Sequence, residues 1–69
     1  MTIGQHINMA RLKKGYTIKR LAEESFISVN TIIYWIYHGA CPSVDLLICV
    51  ADTLGVTLDE LVGRQVTHE

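Results

Sequence analysis

Apolar residues recur at three- and four-residue intervals in five stretches, each opened by Ser or Thr. Thr2-Ile3-Gly4-Gln5 has the form of a capping box, in which Thr and Gln satisfy each other's backbone N–H groups. The spacing predicts a helix from about Ile3 to Lys14, ended by a left-handed Gly15. At about 100° per residue, Ile3, Ile7, Ala10 and the stem of Lys14 share one stripe, and Met9 and Leu12 fall outside it. Tyr16, the connector, is expected to plug the core. Thr17 and Ser28 are N-caps for two further helices, about Ile18–Glu24 and Val29–His38. Ser43 caps a fourth, with Asp45 in its first turn and Gly55 as its stop. Leu47, Ile48, Val50, Ala51 and Leu54 are expected to form its core-facing stripe. Thr57-Leu58-Asp59-Glu60 is a second capping box; Leu58, Leu61 and Val62 are expected to pack that short helix down before Gly63. Residues 64–69 read as a frayed tail. There is no strand alternation, repeat or linker, so the expected fold is all-α, a compact five-helix bundle in one domain spanning 1–69.

The second and third helix starts lie eleven residues apart, with a tight turn at Ser25–Ile27 between the helices. That spacing forces two short helices to cross steeply. Ala22 is expected at the crossing, with Leu21, Ile32 and Trp35 filling the space beside it. This is a helix-turn-helix arrangement over about 17–38, whose second helix commonly enters the major groove of DNA. On that helix Thr31, Ile32 and Trp35 cluster inward, and Val29, Asn30, Ile33, Tyr34 and Tyr37 outward. The twenty residues from Ser25 to Val44 contain no Asp, Glu, Lys or Arg.

Composition bounds the problem. Sixty-nine residues with 49% hydrophobic content can build one small core, with apolar residues left over. The net charge of −1 is unevenly spread. Residues 1–38 carry five Lys/Arg and two Glu, a net of +3, and residues 39–69 carry one Arg and five Asp/Glu, a net of −4. Five of the six basic residues lie between Arg11 and Arg20, a pole able to hold phosphate. Two cysteines, Cys41 and Cys49, make no disulfide framework. No signal peptide is evident, and the apolar runs are six residues each, against about 20 for a membrane span. A cytoplasmic protein without membrane contact is the expectation.

These residues resemble the Cro/repressor-type helix-turn-helix domains, the xenobiotic-response-element class of bacterial and phage regulators with a lambda-repressor-like fold. The resemblance rests on Ile3-Gly4-Gln5 with Arg11 and Gly15, on Leu21-Ala22, and on Ser28 to Trp35. It continues through Pro42-Ser43 and Leu47 to Gly55-Val56-Thr57-Leu58-Asp59-Glu60-Leu61. It implies five helices, DNA binding as a homodimer and control of transcription. The chain departs from the family's pattern at several points. Ile18 stands where Gln is usual. Ile36 follows Trp35 where Glu usually pairs with the first-helix arginine, which leaves Arg11 without its expected partner. The loop after the third helix is His38-Gly39-Ala40-Cys41. Phe26 occupies a turn position that often holds Gly, and a bulky residue there needs a left-handed backbone or a reshaped turn.

If the third helix enters DNA, the base readers are Ser28, Val29, Asn30, Ile33 and Tyr34. Asn30 can pair with adenine N6 and N7, and Val29 and Ile33 can contact thymine methyls. Arg11, Lys13, Lys14, Thr17, Lys19, Arg20 and Tyr37 are the phosphate candidates. The family's habit makes Leu58, Val62 and Val66 the expected dimer contact. The same uncharged face also suits a protein interface, whose centre is depleted in charge. His38, Cys41 and Cys49 fall short of the four ligands of structural zinc. No nucleophile–base set, phosphate loop or paired carboxylate appears, so no catalysis, cofactor or small-molecule ligand is expected.

Overall fold

Every helix begins at a Ser or Thr whose hydroxyl accepts a backbone N–H three residues on. In the computed structural model, which describes residues 2–63, these caps are Thr2, Thr17, Ser28, Ser43 and Thr57. They open α1 (Ile3–Lys14), α2 (Ile18–Ser25), α3 (Val29–Tyr37), α4 (Val44–Leu54) and α5 (Leu58–Val62). Thr2 forms the full capping box, its N–H donating to Gln5 Oε1 at 2.9 Å and its hydroxyl accepting from Gln5 N at 3.1 Å. At Thr57 only half of the expected box forms, Glu60 N donating to Thr57 Oγ1 at 3.2 Å. The α2 helix runs to Ser25, one residue beyond expectation. Ser25 is buried, and its hydroxyl donates to the Leu21 carbonyl. The α3 helix ends at Tyr37, one residue short of expectation, where His38 N donates to the Tyr34 carbonyl at 3.0 Å.

The interior takes one fully buried residue from each helix: Ile7, Leu21, Ile32, Val50 and Leu61. Around them pack Ala22, Ile27, Trp35, Ile36, Leu47, Ala51 and Leu54, with Ile3, Ala10 and Tyr16 partly covered. The α1 helix lies against α3, α4 and α5, and α2 lies against α3 and α4. Two apolar expectations need correction. Ile48 faces outward, because Leu47, Val50, Ala51 and Leu54 already complete the inward stripe of α4. Leu58 and Val62 are exposed, since a one-turn helix such as α5 presents only Leu61 to the interior. Met9 and Leu12 are exposed, as their position outside the α1 stripe requires.

Two backbone features fix the geometry of the helix-turn-helix. Gly4 is buried where α1 meets α3, and a Cβ there would overlap the Trp35 carbonyl group. The two backbones therefore touch directly, without a side chain between them. Phe26 ends α2 in the left-handed conformation, φ 59° and ψ 36°, and is the one non-glycine residue with positive φ among the described residues. Its ring is 95% exposed, so packing does not offset the backbone cost. The turn is closed instead by the buried Ile27, whose N–H donates to the Ala22 carbonyl at 3.1 Å.

Candidate nucleic-acid interface

The third helix divides sharply into two sides. Ile32, Trp35 and Ile36 are buried, and Val29, Asn30, Tyr34 and Tyr37 are exposed, with Ile33 half-buried between them. Tyr34 and Tyr37 are 57% and 65% exposed, so both hydroxyls are open to an outside partner. The Tyr34 ring leans on His38, centroids 5.3 Å apart. Ser28 is less free, because its hydroxyl bonds Thr31 Oγ1 at 2.7 Å and caps Thr31 N at 3.2 Å. The Thr17 hydroxyl is likewise occupied by Arg20 N at 3.0 Å.

The cations gather at the joint between α1 and α2, built around Tyr16. Lys14 Nζ lies 5.6 Å and Arg20 Cζ 4.1 Å from the Tyr16 ring centre, both over its face. The phenol donates to Glu24 Oε1 at 3.0 Å, and Arg20 Nε donates to Glu24 Oε2 at 2.7 Å. Glu24 is therefore held below the usual carboxylate range, first by the Arg20 hydrogen bond and then by that of Tyr16. Arg20 is raised further by the same carboxylate bond and stays cationic throughout. Among the described residues this is the one ion pair, and Lys13, Lys14 and Lys19 form none there.

Arg11 differs from its expected state. It is half-buried, and its guanidinium donates to Asn8 Oδ1 and, at 2.8 Å, to the Tyr16 carbonyl. The partner missing at Ile36 is thus replaced from α1 itself and from the connector. Ile36 joins the core instead.

The structure groups the base-reader candidates along one flank of α3, and Lys14 with Arg20 on Tyr16. No hydrogen bond or ring contact joins these two groups among the described residues. Of the dimer candidates, Leu58 and Val62 are exposed on α5, and Val66 lies outside the described residues. His38, Cys41 and Cys49 do not converge; no metal-holding group of three His, Cys, Asp or Glu occurs among the described residues. No helix there is long and apolar enough to cross a membrane.

Two features escaped sequence reasoning. One is the Tyr16–Arg20–Glu24 cluster, of which the i,i+4 spacing of Arg20 and Glu24 was a readable half. The other is an open groove of about 380 Å³ between α1 and α5, lined by His6, Met9, Ala10, Lys13, Asp59 and Glu60. No signal along the chain foretells it. Residues 7–61 match the family profile described as helix-turn-helix. No curated protein matches the chain.

Proposed function

The chain belongs to the Cro/repressor-type helix-turn-helix family of DNA-binding transcription regulators, and on that premise we propose that it reads double-stranded DNA with α3 in the major groove. The observation that carries this is the uncharged, solvent-open flank of α3 in a chain whose exposed lysines sit on α1 and α2. Asn30 and Tyr34 read base edges, while Lys19, Arg20, Lys13 and Lys14 hold the phosphates with Thr17 and Tyr37 beside them. Arg11 supports the joint from within and reaches phosphate least readily. Nothing in this reading calls for an enzyme's chemistry. The chain acts as a cytoplasmic domain of bacterial or phage origin, a homodimer on two-fold related half-sites joined through Leu58, Val62 and Val66. It acts as a repressor, by occupying its site. Few free cations give a shallow salt slope, since each phosphate neutralised contributes about 0.9 to it.

Selection from a random duplex pool, followed by gel shifts at two salt concentrations, tests the reading. An enriched sequence with a salt-sensitive shift is expected; no enrichment and no shift at low salt refutes it. Exposed Tyr34, Tyr37 and Val29 without charge favour a second reading, a protein-binding module on the same flank. That reading requires a tight partner lost in Tyr34→Ala and indifferent to added DNA.

A further inference from the structure

The DNA-binding reading leaves open what the α3 flank selects, and the side chains it presents narrow the answer. The major groove offers four distinguishable patterns. Guanine is most often read by Arg or Lys on O6 and N7, and cytosine by Asp or Glu accepting from N4. None of these side chains occurs anywhere from Ser25 to Val44. The Ser28 hydroxyl, which could serve either base type, is committed to Thr31 and to the helix cap.

What remains is an aliphatic pair and one carboxamide. Val29 and Ile33 stand one turn apart on the same flank, Val29 exposed and Ile33 half-buried. Both are β-branched and stiff at χ1 within a helix, so they lose little freedom on meeting a surface. Asn30 is exposed beside Val29. The one apolar group that base pairs present in the major groove is the thymine C5-methyl, and the base that a carboxamide pairs with best is adenine.

We infer that the α3 flank selects A·T pairs through their 5-methyl groups, with Val29 and Ile33 as the residues that determine specificity and Asn30 on the paired adenine strand. The recognised chemistry is a methyl on C5 of a pyrimidine. A 5-methylcytosine carries the same group at the same place in the groove. The inference rests on the DNA-binding role proposed above.

Duplexes enriched from the random pool are resynthesised with deoxyuridine in place of thymidine, which removes the methyl and leaves pairing intact. Binding is expected to weaken about four-fold for each contacted methyl removed, the value of one buried carbon group. Val29→Ala keeps its helical spectrum and loses part of that discrimination. At a contacted thymine changed to cytosine, 5-methylcytosine is expected to bind about four-fold tighter than cytosine. Enriched sites rich in G·C, or indifferent to deoxyuridine, overturn the inference and leave DNA binding standing. Failure to enrich any sequence removes the DNA-binding reading and the inference with it.

Discussion

Replacing Phe26 by glycine is expected to stabilise the domain, although it deletes a large apolar side chain. The ring is 95% exposed, so its removal opens no cavity and forfeits little burial. The backbone at φ 59° and ψ 36° costs an L-residue about 1–2 kcal/mol, which glycine does not incur. Glycine brings its own penalty of roughly 0.5–1 kcal/mol, from the freedom it adds to the unfolded chain. The balance spans about 0–1.5 kcal/mol and centres on a gain of about 0.5–1 kcal/mol. For a domain of this size 1 kcal/mol moves the midpoint by about 4–8 °C, so Phe26→Gly should melt roughly 2–8 °C higher. Thermal unfolding followed by helical circular dichroism, at two protein concentrations, measures it. Phe26→Ala is the control: it keeps the left-handed backbone and should lie close to the parent. A lower midpoint for Phe26→Gly refutes the reasoning. A loss above about 1 kcal/mol in Phe26→Ala shows that the ring is buried in solution, and a concentration-dependent loss shows that a second copy buries it.

Four other outcomes are expected. Gly4→Ala forces α1 away from the Trp35 carbonyl and should cost at least about 3 kcal/mol in urea unfolding; a cost below 1 kcal/mol means the helices do not touch there. Asn30→Ala should cost roughly 1–3 kcal/mol and relax preference at one base position of the selected duplex, whereas uniform weakening across sequences rules out base readout. Glu24 is held below the ordinary carboxylate range, so its bridge persists through neutral pH and is lost only as pH falls through that lowered value. Arg20→Gln should make the salt slope of DNA binding shallower by about one unit, and an unchanged slope removes Arg20 from the phosphate contacts. Leu58→Asp places an acid in the favourable first turn of α5, so the fold should survive while sedimentation reports a monomer; an unchanged dimer relocates the interface.

The helices were legible because their ends are local chemistry. Thr2, Thr17, Ser28, Ser43 and Thr57 cap as their positions in the chain require, and Gly15, Gly55 and Gly63 stop as expected. Periodicity placed Ile7, Ile32 and Trp35 inward, but it missed the buried Gly4 and Ile36 and put the Lys14 stem in a stripe where the residue is exposed. What periodicity does not carry is the partner. Ile48 lies within the apolar run of α4, and only the neighbours packed against that helix decide that it faces water. Arg11 finds the Tyr16 carbonyl across a bend, and Tyr16 reaches Glu24 eight residues on. These contacts depend on how α1 and α2 are turned relative to each other. The candidate site shows the same division. The exposed flank of α3 and the capping duty of Thr17 and Ser28 were readable from spacing, whereas the bond between the Ser28 and Thr31 hydroxyls and the reach of Tyr16 to Glu24 were not.

The contact at Gly4 separates what holds α3 from what α3 displays. The helix is seated by main chain against main chain, and by Ile32, Trp35 and Ile36. None of Val29, Asn30, Tyr34 or Tyr37 takes part in that seating. Their identities can therefore drift, one at a time, while the mounting stays rigid. A scaffold of this kind can acquire a new target without first having to refold.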